Sequence, residues 1–255
     1  MAIIHKFQEY DWGNGFKTKN SILKNNTYTP EVLFIGTFNH GWKCNPSDFF
    51  YGRGMYMWPI LANLFIHNDK DFLKTVRNIN NDVPTLKEIF EICKKGKISF
   101  ADIIKGTKTT IPVEENSGYV KVNNIYNWID YKDSHLNFMG NSNWLDDNVD
   151  EIIKYINETP SIKYIYFTFK TGGKWILKKK EDIVKDVNVP CCSIFTPTGT
   201  GFRSNLVAPF DTRIKSLTHC WVWNNRNHKI EINKDNYGSL DHNWLTSIGV
   251  NVNDF

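Results

Sequence analysis

EVLFIGTF, residues 31–38, is the stretch that decides the architecture. Val32 to Ile35 run without a polar break into Gly36 and then into polar residues. A short continuous apolar run of this kind is how a strand buried on both faces reads, and such strands belong to parallel sheets covered by helices. IKYIYFTF (162–169) and VPCCSIF (189–195) read the same way, and ISFADII (98–104) is a short strand or turn. Helical spacing fills the intervals. YMWPILANLFIHN (56–68) places Pro59 in a first turn, where its missing N–H does no harm. VPTLKEIFEICKKGK (83–97) is amphipathic and closes on Lys and Gly. LDDNVDEIIKYINETP (145–160) carries acids at its start. GGKWILKKKEDIVKDV (172–187) and LVAPFDTRIKSLTHC (206–220) complete the set.

This alternation predicts one α/β domain over residues 1–255, a three-layer α/β/α arrangement around a central, mostly parallel, four-stranded sheet. Strands are expected near 32–37, 163–169 and 190–195. Residues 105–143 read as polar and loop-like, and 221–255 as an unplaced extension. No internal repeat appears, and no linker divides the chain.

Composition narrows the function classes. A hydrophobic fraction of 41% supports a real core and argues against wholesale disorder. The net charge of +4 suits an enzyme that touches a few phosphates, and equally a protein that never meets DNA. The five cysteines include no CxxC pair, so neither a disulfide framework, a zinc ribbon nor an iron–sulfur site is expected. GxGxxG and P-loop motifs are missing, so no cofactor is expected, and no metal. The N-terminus lacks an apolar signal region and no stretch is long enough to span a membrane. The expectation is a cytoplasmic monomer with reduced thiols.

Ligands of open α/β sheets bind outside the carboxyl ends of the strands. Two loops stand there, GTFNHGW (36–42) and TPTGTGFRSN (196–205). Together with FFYGRGMYMWPIL (49–61), KISFADIIKG (97–106), SIKYIYFTFKTGGKWILK (161–178) and SIFTPTGTGF (193–202), the chain resembles the uracil-DNA glycosylase superfamily over Val32 to Arg213. The pattern lies nearest the mismatch-specific and hypoxanthine-type branches. The resemblance implies a uracil-DNA glycosylase-like fold and a monofunctional hydrolase that flips a damaged or modified base out of double-stranded DNA and cuts its N-glycosidic bond. Phe38 stands where many relatives place an acid or Asn, and Thr168 where relatives often place a base-reading Asn. The final loop lacks the His of the classical uracil enzymes. Those departures argue against a strict uracil enzyme.

Cleavage passes through an oxocarbenium-like sugar, so a water must be aimed at C1′. Asn39 is the first choice to orient it, and its alternative is shaping the turn before Gly41. Asp48 and Asp102 are rival carboxylates, the first otherwise a surface acid and the second a helix cap. His40 can move a proton near neutrality or serve structure. Gly36, Thr37, Phe38, Phe50, Tyr51 and Thr168 are expected around the base, with core packing as the alternative for the aromatics. Thr198, Gly199, Thr200, Gly201, Phe202, Arg203 and Ser204 are expected on DNA: glycines let backbone amides reach phosphates, and Phe202 or Arg203 fills the gap left by a flipped base. Asn39, Phe50, Thr168 and the 196–203 loop should then converge on one cleft.

The substrate range spans deaminated bases (hypoxanthine or mismatched uracil) and bulky modified pyrimidines of phage DNA, the latter implying an anti-phage role. The altered base-reading positions and the 105–143 insertion lean toward the second. A non-catalytic nucleic-acid binder on the same scaffold is the rival function, and an unrelated enzyme of small nucleotides a third.

Overall fold

The computed structural model describes residues 4–39, 48–52, 56–69, 84–108, 119–122, 125–128, 135–169, 173–197, 213–223 and 237–255. The chain opens with three short strands, β1 (Glu9–Gly13), β2 (Phe16–Lys19) and β3 (Ile22–Asn25), followed by β4 (Val32–Gly36). Helix α1 (Met57–Ala62) continues as a wide π turn over Asn63–His67, and α2 spans Leu86–Gly96. Then come β5 (Ile98–Asp102), β6 (Ile104–Thr107), β7 (Tyr119–Val122), β8 (Ile125–Trp128), α3 (His135–Asn141) and β9 (Leu145–Asp147). Helix α4 (Val149–Glu158), β10 (Tyr164–Phe167), α5 (Lys174–Asp186), β11 (Cys191–Ser193), α6 (Arg213–Trp223) and α7 (His242–Ser247) complete the order.

Among the described residues the central sheet has seven strands, in the order β1-β2-β3-β5-β4-β10-β11. Strands β5, β4, β10 and β11 are mutually parallel, with Phe34 opposite Phe100 on one side and Tyr166 on the other. The expected four-stranded sheet is therefore extended, because an antiparallel meander adds β1–β3 through the pairing of Ile22 with Ala101. Two tight turns fold that meander. Asn14 and Gly15 have φ of 52° and 84°, and Asn20 and Ser21 have 51° and 56°, the left-handed pairs that match the twist of a two-residue hairpin.

Both faces of the parallel strands are covered, which is why β4 is apolar throughout. Val32 and Phe34 pack with α1, α2, α6 and α7 on one face. Leu33 and Ile35 pack with α3, α4 and α5 on the other. Helix α2 begins in a capping box: Thr85 Oγ1 accepts the Glu88 N–H and Glu88 accepts the Thr85 N–H.

Two expectations need correction. The 105–143 stretch is more than loop, since β6, the β7–β8 hairpin and α3 lie in it. The unplaced tail also has a position. Trp221, Trp223 and Trp244 donate to the carbonyls of Phe195, Val252 and Gly96, tying residues 237–255 against the α2 side of the core. Helix α6 is described from Arg213 onward, and 206–212 lie outside the described residues. Cys191 and Cys192 pack against opposite core clusters, as the pleat of β11 requires, so the adjacent thiols do not face each other.

Candidate active site

The carboxyl ends of β4, β5 and β10 lie side by side, because these strands are parallel neighbours with Gly36 opposite Asp102. The loop after β4 is pinned there. The carbonyls of Gly36 and Thr37 accept the N–H groups of Ile103 and Ile104. The N-terminal segment closes over this loop: His5 N–H donates to Lys105 and Lys6 N–H to the Asn39 carbonyl.

Asp102 is the centre of the cluster and is 1% exposed. Its Oδ2 accepts two hydrogen bonds, from His5 Nε2 at 2.8 Å and from Asn39 Nδ2 at 2.7 Å. The His5 tautomer follows from its other nitrogen. Phe7 N–H donates to His5 Nδ1 at 3.0 Å, so Nδ1 carries no proton and Nε2 is the donor to the carboxylate. A buried carboxylate without such donors would be strongly disfavoured. Because Asn39 turns its Nδ2 to Asp102, its Oδ1 is left as an acceptor. Among the described residues, no donor reaches Asn39 Oδ1 or Asp102 Oδ1.

Tyr51 joins from the segment after Phe50. Its Oη lies 2.8 Å from Thr168 Oγ1, and Thr168 Oγ1 lies 3.3 Å from the Ile35 carbonyl. Tyr51 has a left-handed φ of 63°, uncommon for an aromatic residue, and Gly52 follows at 59°. Burial, then the nearby Asp102 carboxylate, push the Tyr51 phenol well above its ordinary pKa, while the Thr168 hydrogen bond acts the other way. Gly36 lies under both groups. A Cβ there would stand 2.2 Å from Asp102 Oδ1 and 2.6 Å from Tyr51 Oη. Only a residue without a side chain lets the carboxylate and the phenol close over that backbone.

Asn39, Asp102, Gly36, Thr37, Tyr51 and Thr168 therefore meet at one end of the sheet. Phe38 lies at the same loop, its ring 6.2 Å from that of His5. Phe50 is turned into the core instead. It is fully buried, stacked on Phe100 at 5.8 Å and packed against His5 at 5.8 Å, because the meander brings Phe7 and Trp12 over it. Its expected stacking on a base is thereby corrected to support of His5. Asp48 sits on the Trp12 side of this aromatic group, where its carbonyl accepts Trp12 Nε1–H at 3.3 Å. His40 and Thr198, Gly199, Thr200, Gly201, Phe202, Arg203 and Ser204 lie outside the described residues, although β11 delivers Thr196 beside the end of β10 through the Ile194 N–H to Phe167 carbonyl bond.

Sequence reasoning missed His5. It sits 97 positions from Asp102, in a segment with no periodicity, and only the folded N-terminus brings it in. A cleft of about 370 Å³ opens at the amino ends of β10 and β11, away from this cluster, lined by Tyr164, Tyr166, Cys192, Asp241 and His242. Its polar groups already serve structure. Asp241 caps α7 by accepting the Trp244 N–H, and His242 Nε2 bonds the Val222 carbonyl. Among the described residues, no group of three or more His, Cys, Asp or Glu side chains is placed to hold a metal, and no helix is long and apolar enough to cross a membrane.

No family model and no curated protein matches the chain. Among solved structures it is similar to the solution NMR structure of a candidate uracil DNA glycosylase from Methanosarcina acetivorans. The two share 14% identity over 74% of this chain and 87% of that chain, with a TM-score of 0.36. A likeness at that level carries no argument for fold or activity.

Proposed function

We propose that the protein is a monofunctional DNA glycosylase that hydrolyses the N-glycosidic bond of a base flipped out of double-stranded DNA. The observation that carries this reading is the His5–Asp102–Asn39 cluster at the carboxyl ends of the parallel strands. Asn39 Oδ1 and Asp102 Oδ1, the oxygens not used in the His5–Asp102–Asn39 bonds, serve in this reading as the acceptors of the attacking water. A water that donates one proton to each turns a lone pair outward, towards C1′ of a bound nucleotide. The water oxygen bonds to C1′, the C1′–N bond breaks, and its electron pair leaves with the base. The water proton passes to Asp102 Oδ1 and from there to solvent or the departing base. The buried carboxylate also opposes the positive charge that develops on the sugar. His5 holds Asp102 in place and touches no reacting atom, so it is a positioning residue.

Phe38, Tyr51 and Thr168 surround the base in this reading, and residues 198–204 meet the DNA. The rival, a non-catalytic binder, gives no reason for a buried carboxylate fixed by two donors beside a free carboxamide oxygen. The test is a panel of duplexes, each with one deaminated or modified base, incubated with the protein and then treated with alkali. Abasic sites in at least one duplex, lost in Asn39→Ala, support hydrolysis. DNA binding with no base released from any duplex overturns it.

A further inference from the structure

We infer that Lys105 is a DNA-binding residue that holds a phosphate of the target strand beside the flipped nucleotide. The inference rests on the glycosylase reading for its ligand, but the placement of the cation is independent of the chemistry.

Lys105 stands where the small β6–β9 sheet departs from regular pairing. Ile104 faces Asp147 and Gly106 faces Asp146, so two steps along β6 match one step along β9. Lys105 is the extra residue of a β-bulge, a device that interrupts the ladder and re-aims a side chain. Its carbonyl accepts the His5 N–H, and the residue before it, Ile104, donates its N–H to the Thr37 carbonyl. Lys105 is thus tied on one side to the histidine that holds Asp102 and on the other to the loop that carries Asn39. It follows Asp102 by three positions, a span of about 10 Å at most in extended chain.

The residue is half-buried, yet among the described residues no hydrogen bond or ion pair engages its ammonium. The lysines around it are engaged. Lys108 Nζ donates to Asn143 Oδ1 at 2.7 Å, and Lys179 pairs with Asp147 at 2.7 Å. Asp146, the exposed acid on the facing strand, forms no ion pair with Lys105. A nucleotide can bring C1′ to Asp102 only by bringing its own phosphates to the rim of the site. The centre of that site is a carboxylate held by a neutral imidazole and a carboxamide, so it repels them. A cation fixed by the bulge at the edge of the same cluster offsets the repulsion and sets the register of the strand, which is what phosphate contacts do.

The experiment measures binding to a duplex with one tetrahydrofuran abasic analogue, which fixes the register and has no base to release. Fluorescence anisotropy follows affinity from about 50 to 200 mM KCl. Lys105→Gln should reduce the log–log salt slope by about 0.9, the share of one phosphate, so that the wild-type protein loses about threefold more affinity than the variant over this range. Lys105→Arg should keep the wild-type slope. So should Lys94→Gln, whose exposed lysine lies in the last turn of α2, before the amino end of β5. Thermal melting checks that each variant folds. Neutral methylphosphonates are then placed one at a time on the phosphates flanking the analogue. One of them should weaken binding by the wild-type protein and leave Lys105→Gln unaffected. An unchanged slope in Lys105→Gln, an equal fall in Lys94→Gln, losses that add at every methylphosphonate, or no DNA binding at all would overturn the inference. Base release from duplexes with modified bases is read separately. A reduced slope in Lys105→Gln without any release leaves the phosphate contact standing and removes the hydrolase reading, and release with an unchanged slope does the opposite.

Discussion

Asp102→Asn should separate the scaffold from the chemistry, and the reason lies in how the carboxylate is used. Both donors, His5 Nε2–H and Asn39 Nδ2–H, converge on Oδ2. An Asn at 102 can place its single carbonyl oxygen at that position and keep both bonds. Its NH2 group then stands where Oδ1 was, beside Gly36 and Tyr51. Two charge-assisted hydrogen bonds become neutral ones, at about 1 kcal/mol each. A total loss of about 2 kcal/mol corresponds to a fall in Tm of roughly 4–8 °C for a chain of this size. The water site loses an acceptor and gains a donor. Single-turnover base release should therefore fall on the order of hundredfold or more, while DNA binding stays near wild type. Asp102→Ala is the contrast. It leaves the His5 and Asn39 donors buried without an acceptor, at about 1–3 kcal/mol each, and opens a small cavity besides. Its Tm should fall by roughly 10 °C or more. Thermal unfolding, fluorescence anisotropy with DNA, and single-turnover release on an accepted substrate measure the three quantities. Wild-type release rates in Asp102→Asn would refute the water-holding role, and equal melting of Asp102→Asn and Asp102→Ala would refute the hydrogen-bond account.

Other expectations follow from the same contacts. Asn39→Ala should abolish base release and leave DNA binding nearly intact, since a water-orienting oxygen acts mainly in the transition state; near-wild-type single-turnover rates would return Asn39 to the role of a turn residue. Gly36→Ala should both destabilise the protein and cripple the site, because its Cβ would press on Asp102 Oδ1 at 2.2 Å; a variant that melts and turns over like wild type would contradict the close approach. Lys97, with Lys163, holds the Glu31 carboxyl below its ordinary value of 4.5, so its contribution to stability is complete above that pH and disappears as pH falls through the lowered value. The stability gap between wild type and Glu31→Gln, followed by urea unfolding from pH 7 to 3, should shrink on acidification, and a gap that grows would reverse the sign assigned to this pair.

The sequence by itself determined the parallel half of the sheet and its helical cover. Val32–Ile35 and Tyr164–Phe167 are apolar on consecutive positions, as burial on both faces requires, and that condition is local enough to read. It also placed Gly36 and Asn39 at a strand end, where α/β sheets bind ligands, while the pairing of Gly36 with Asp102 came only with the fold. Asn14–Gly15 was a legible hairpin signal for the N-terminal meander, yet the strands around it are short and half-exposed, so periodicity alone did not reveal them. What the tertiary structure decided is which of those residues act together. Whether Phe50 stacks on a base or on Phe100 depends on Phe7 and Trp12, which the meander carries over it from more than 35 positions away. That Asp102 joins the Asn39 loop and caps no helix depends on His5 and Asn39 reaching the same oxygen, and Thr168 pairs with Tyr51, 117 positions earlier. Hydrogen-bond direction is a property of pairs of groups brought within about 3 Å, and pairs so distant in sequence leave no periodic trace in it.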